Sequence, residues 1–195
     1  MAARRSRLLP VWDAIDYAAK GLDKNAELEV KYINSFKGRG VFAKAPFQKG
    51  DFVVEYRGVL ISSEESQRRK SIYHARCSVF MFDFYCREKA WCVDAAQEDG
   101  SLGRLVNDDR YHPNCKMKKV ITDGKPHLFL FALRDIAVGE EITYEYDGKY
   151  YPWRKQTLSS DSEVDLAEDE SDSAPQRRRP QNQTEKDSSD SDLMW

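Results

Sequence analysis

Lys37-Gly38-Arg39-Gly40 stands just before the apolar run Val41-Phe42-Ala43, and glycines there permit backbone conformations and a close ligand approach that a Cβ would forbid. Taken alone, an ordinary glycine turn between strands is the better account of it. Four further segments follow in order: Glu55-Tyr56-Arg57-Gly58, Leu102-Gly103-Arg104-Leu105-Val106-Asn107, His112-Pro113-Asn114-Cys115, and Arg134-Asp135-Ile136 with Gly139-Glu140-Glu141-Ile142-Thr143-Tyr144-Glu145-Tyr146. Core packing with a satisfied hydroxyl is the usual account of a lone Tyr-x-Tyr pair. Metal chemistry is not expected. Cys115 and the nearby His112 fall short of the four ligands of a structural site, and His74 and His127 stand in no ligand pattern.

The elements that would position these groups are short. Val11, Ile15, Ala18, Ala19 and Leu22 recur at helical spacing, so an amphipathic helix is expected over 11–22, ending near Gly21. Beyond it come the β-type runs ELEVKYI, GVFA, FVVEYRGVLI, VFMFDFY, AWCVDA, PHLFLFAL and EITYEYD, broken by the turn sets QKGD, EDGS and TDGK. The charged stretch SSEESQRRKSIYHAR has the pattern of an exposed helix. The body is therefore mainly β.

Composition bounds the rest. The chain has 195 residues, 41% of them hydrophobic and 33% charged, enough apolar material for one domain with some of the chain left outside it. Residues 156–195 carry eleven acidic against four basic side chains, a net −7, so the overall −2 leaves +5 on residues 1–155. That acidic, serine-rich stretch has too few large apolar residues to offset the entropy of ordering and is expected to be a disordered tail. No stretch has the length and apolarity of a membrane span, and the start lacks a secretory signal. The four cysteines show no disulfide framework. A reduced, intracellular setting is expected.

These segments resemble the SET-domain lysine methyltransferases over about residues 27–155. GRGVFA, GDFVVEYRG, CVDA, LGRLVN, PNC, RDIAVGEEITYEY and PW recur in that family's order and approximate spacing. KGRGVFA, GDFVVEY, LGRL and PHLFLFALRDIAVGEE resemble in particular the subgroup that monomethylates one lysine in the tail of histone four, and PWRKQ resembles its closing Pro-Trp segment. The resemblance implies a fold of small curved β-sheets with a threaded pseudoknot, made by the Asn107 segment and the final strand. It implies three regions: an N-terminal extension over 1–26 with its helix, a SET domain over 27–155, and the tail over 156–195.

The resemblance also implies the chemistry. S-adenosylmethionine is the expected cofactor, with Lys37, Gly38 and Arg39 along its methionine part, Asn107 and Asp108 toward the adenosine, and Phe80 at the position of a cofactor-contacting tyrosine. Tyr56, Tyr144 and Tyr146 would line the lysine channel, with Tyr146 the principal catalytic residue. A lysine of pKa about 10.4 must lose a proton before it attacks, at a cost of about 4.6 kcal/mol at pH 7. Desolvation in an aromatic channel and a nearby sulfonium both lower that pKa, so no strong base is needed. Tyr144 occupies the Tyr-or-Phe position that limits how many methyl groups are added, and monomethylation is expected. The partner would be a basic histone tail or nucleosome, met by Glu55, Asp108, Asp109, Glu140, Glu141 and Glu145. The terminal ARRSR would contact nucleosomal DNA. The protein would act as a monomer, in the nucleus on chromatin, away from membranes.

The chain departs from the family pattern at three places: Asn107-Asp108-Asp109 stands for Asn-His-Ser, Asp147 follows the second tyrosine where glycine is usual, and Phe80 lacks the expected hydroxyl. Asp108 can replace a histidine that acts through its main chain, since every residue offers the same amide and carbonyl. The alternative is a SET module that binds histone or a partner without methyl transfer.

Overall fold

The computed structural model describes residues 9–146. The terminal ARRSR, the PWRKQ segment, Asp147 and the acidic tail over 156–195 lie outside the described residues.

Helix α1 spans Pro10–Lys20, one residue earlier at its start than the apolar spacing predicts, because Pro10 presets the first helical turn. It ends at Gly21 in the left-handed conformation, whose amide bonds the Ala18 carbonyl at 3.0 Å. Its inward Ala14 is fully buried against Phe52, Phe129 and Phe131, which fastens the helix to the body. None of the described helices is long and apolar enough to cross a membrane.

Three small sheets follow. Strands β1 (Leu28–Asn34) and β2 (Gly38–Ala43) form an antiparallel hairpin. At its turn the Asn34 side chain accepts from the amides of Phe36 at 2.9 Å and Lys37 at 2.7 Å. Strands β3 (Phe52–Glu55) and β4 (Val59–Ser62) come from a single apolar run in the sequence but join different sheets. Tyr56-Arg57-Gly58 carries the chain across, and Gly58 is required because a Cβ there would lie 2.5 Å from the Asp94 carbonyl oxygen. Helix α2 (Ser63–Ile72) is the charged helix expected, capped by the Ser62 hydroxyl, and a short α3 (Ala75–Ser78) follows. Strands β5 (Met81–Cys86) and β6 (Lys89–Asp94) complete a three-stranded sheet in the order β4-β6-β5.

The third sheet has five strands in the order β3-β9-β8-β10-β7, with β7 (Asn107–Asp108), β8 (Cys115–Thr122), β9 (Lys125–Ala132) and β10 (Thr143–Tyr144). β8 is absent from the runs expected to be strands: its Lys116, Lys118 and Lys119 hide the pattern, and it is the eight-residue ladder with apolar β9 that makes it a strand. Asp123-Gly124, both with positive φ, make the tight turn between them. Of the expected EITYEYD run, Thr143–Tyr144 form the strand, and Glu141 makes an isolated antiparallel bridge with Phe42.

β10 lies parallel to β7 on one side, Thr143 facing Asn107 and Tyr144 facing Asp108, and parallel to β8 on the other, Tyr144 facing Cys115. Residues 109–114 join β7 to β8, so the last described strand sits between the two ends of that connection. Asn114 secures it, accepting from the Thr143 amide at 2.9 Å and donating to the Glu141 carbonyl at 2.7 Å.

Candidate active site

The β1–β2 turn, β7 and β10 meet at Asn107. Its side-chain amide donates to the Arg39 carbonyl at 3.2 Å and to Glu141 Oε1 at 2.8 Å, while Glu141 Oε2 receives Lys37 Nζ at 3.0 Å. Gly40 makes this junction tight, since a Cβ there would stand 3.0 Å from both Asn107 Nδ2 and Glu141 Oε1. Gly38 is the opposite case: its φ is +72° and no atom lies within 4 Å of where a Cβ would be. The backbone is therefore bare at Gly38, between two cationic side chains, as close approach by a small ligand requires.

The tyrosines gather beside this junction. The Tyr146 hydroxyl donates to the carbonyl of Val106, the residue before Asn107, at 3.1 Å. Its ring meets that of fully buried Tyr144 edge-on, with centroids 4.5 Å apart at 89°. Phe82 continues the series, 6.4 Å from Tyr146 and 5.6 Å from Tyr56 between centroids. The Tyr56 hydroxyl donates to the Phe80 carbonyl at 2.9 Å, so Phe80 meets the site through its main chain. The Phe80 ring lies under the Arg104 guanidinium at 4.0 Å, and Arg104 Nε donates to the Ala95 carbonyl at 2.7 Å. Glu98 ties this side back to the turn, 2.6 Å from Arg39 and 4.0 Å from Arg104. Asp108 turns its carboxylate inward, where Oδ1 accepts from the Tyr146 amide at 2.9 Å.

Eight of the nine residues expected at the site thus lie along one connected set of contacts, and Gly38 stands in the chain between two of them, Lys37 and Arg39. Phe82, Arg104 and Glu98 were not among them. Phe82 was legible from strand alternation in VFMFDFY, and Arg104 from a lone cation inside the apolar LGRLV segment. Glu98, on an exposed loop, carries no such signal.

The expected acidic groove needs correction at Glu55. It is buried, with Oε1 2.6 Å from His127 Nδ1 and Oε2 4.0 Å from Arg57, because a carboxylate inside the sheet requires partners. His127, given no part by the sequence, is that partner. Glu140 pairs with Arg134 at 2.9 Å, and Asp109 accepts the amides of Tyr111 and His112. Glu145 is exposed.

All four cysteines are free thiols, and burial pushes Cys92 and Cys115 up to about 12. Among the described residues no three His, Cys, Asp or Glu side chains converge as a metal site would require.

The SET domain family model matches residues 38–147, more than half of the chain, and the chain belongs to that family. It is 42% identical over 134 residues to the N-lysine methyltransferase KMT5A-A of Danio rerio, covering 65% of this chain and 38% of that protein. It is 43% identical over 133 residues to the histone-lysine N-methyltransferase set-1 of Caenorhabditis elegans, covering 67% and 54%. With the histone-lysine N-methyltransferase Set8 of Drosophila melanogaster the identity is 41% over 127 residues, covering 60% and 18%. The chain thus spans from about a fifth to about half of the length of these relatives. The crystal structure of CpSET8 from Cryptosporidium is similar at a TM-score of 0.56 and 27% identity, covering 77% of this chain and 70% of that one.

Proposed function

We propose that this chain is an S-adenosylmethionine-dependent protein-lysine N-methyltransferase that adds one methyl group to a lysine of a histone tail, that of histone four, in the nucleus. The observation that carries this reading is the placement of Tyr146: its hydroxyl is held on the Val106 carbonyl, next to the Asn107 side chain that grips the Lys37–Gly40 turn.

When bound, S-adenosylmethionine supplies an electrophilic methyl group on a positive sulfur. The bare backbone at Gly38 admits such a ligand, and Lys37 and Arg39, held in place by Glu141 and Glu98, suit its carboxylate. The rings of Tyr56, Phe82, Tyr144 and Tyr146 would surround the incoming lysine with apolar surface, which favours its neutral amine over the ammonium. The ammonium proton leaves to water before attack. S-adenosylmethionine held along Lys37–Arg39 would supply that methyl group to the neutral amine, on the line between the two. Tyr146 would orient the lone pair along that line, an advantage of position rather than of base strength. Exposed Glu145 offers a charge to a basic tail. The terminal ARRSR would add contacts to DNA phosphates.

Purified protein incubated with methyl-labelled S-adenosylmethionine and nucleosomes tests this. Label should appear on histone four in wild type and fall at least about a hundredfold in Tyr146→Phe, as for a group that aligns the reactants. Cofactor binding without transfer in wild type would replace the enzyme by a binding module.

A further inference from the structure

We infer that Asp108 is a positioning residue for Tyr146, its side-chain carboxylate setting the direction of the phenol that aligns the substrate amine. This rests on the methyltransferase reading above.

The pairing of β10 with β7 stops at Tyr144 opposite Asp108. On the far side of that last pair the Asp109 amide donates to the Tyr144 carbonyl at 3.1 Å. Two residues further along, the Tyr146 amide donates to Asp108 Oδ1 at 2.9 Å, so a side chain takes over where the main-chain ladder ends. The other end of Tyr146 is held by its hydroxyl on the Val106 carbonyl at 3.1 Å. Both acceptors thus belong to one three-residue stretch, Val106–Asp108. Its middle residue, Asn107, grips the Arg39 carbonyl and Glu141. Tyr146 is therefore held at its main chain and at its phenol by the same segment that holds the glycine turn, and the phenol's distance from that turn is fixed through it.

A carboxylate suits this place. An ionised acceptor makes a stronger bond to an amide than a neutral one. It also holds a residue just beyond the paired strand, where nothing in the β10–β7 ladder would. The departure from Asn-His-Ser at Asp108 then has a purpose: the main chain of Asp108 remains in the ladder, and the side chain supports Tyr146. Asp108 acts on the reaction through Tyr146, so its loss should appear in turnover rather than in binding.

The test compares Asp108→Leu, which keeps the shape and removes the acceptor, with Asp108→Asn, which keeps an acceptor oxygen without the charge. Three quantities are read on the full chain: kcat and KM with nucleosomes, and exchange protection of the Tyr146 amide by NMR. In Asp108→Leu protection should fall about tenfold and kcat about ten- to a hundredfold, with the KM for nucleosomes within about twofold, as a small misplacement of an aligning group predicts. Asp108→Asn should recover the larger part of both losses. Unchanged protection in Asp108→Leu overturns the inference, as does equal impairment of the two variants. If wild type transfers no methyl group, the enzyme reading falls with its catalytic consequence, while the amide measurement still decides whether Asp108 holds Tyr146.

Discussion

The side-chain amide of Asn107 donates to Glu141 at 2.8 Å, joining two segments 34 residues apart in the chain. Through the same amide's bond to Arg39 and the Lys37–Glu141 ion pair, the first sheet is tied to the last described strand. Replacing Glu141 by Ala removes the acceptor and leaves Lys37 without it. Stability should fall by about 1–3 kcal/mol, read by urea denaturation, and S-adenosylmethionine affinity should fall in calorimetry. A loss below about 0.5 kcal/mol with unchanged affinity would show the tie to be incidental.

Tyr144→Phe keeps the edge-on ring contact with Tyr146 and removes only the phenol oxygen. The space released should accept a second methyl group, making dimethyl-lysine a major product in mass spectra. Stability should change by only about 1 kcal/mol, since a single polar atom is removed and the ring packing is kept. A product distribution identical to wild type would remove Tyr144 from product control.

Two glycines separate space from conformation. At Gly103 a Cβ would stand 2.0 Å from the Glu55 carbonyl oxygen, so Gly103→Ala must displace backbone beside Tyr56 and should cost about 3 kcal/mol or more. At Gly50, with φ +90° and open space around it, Gly50→Ala meets only conformational strain of about 1–2 kcal/mol. Equal midpoints for the two variants in urea would contradict the packing at Gly103.

Burial holds the Cys92 and Cys115 thiols near 12, against about 9 for an ordinary thiol. Because the folded-state value is the higher one, the unfolded chain ionises first. The stability these thiols contribute is whole below pH 9 and is lost as pH rises toward 12, at about 1.4 kcal/mol per pH unit for each thiol. Other groups titrate in that range, so the comparison is with a Cys92→Ala/Cys115→Ala variant. Its deficit relative to wild type should narrow between pH 8 and pH 10. A constant deficit would show that burial does not oppose ionisation.

Much of the architecture was legible from pattern. The α1 helix, the charged α2, the β1–β2 hairpin and the Asp123-Gly124 turn follow from apolar spacing, capping and turn chemistry, all local properties. β8 was missed because its lysines mask any alternation, and it is a strand through its pairing with β9. The run from Phe52 to Ile61 was read as one strand because β-forming residues stand at both its ends, whereas close packing of Gly58 against Asp94 divides it between two sheets.

At the site, the ordered motifs pointed to the family, and the nine residues were carried over from the resemblance, since glycine turns and a Tyr-x-Tyr pair are features of residue type and order. What only the tertiary structure decided is who touches whom: that Glu55 is buried against His127 instead of facing a substrate, that Phe82 bridges Tyr56 and Tyr146, and that Asp108 supports Tyr146. Local sequence specifies which conformations and side-chain chemistries are available, whereas contacts between segments far apart depend on how the sheets close around one another, and no short stretch of chain encodes that.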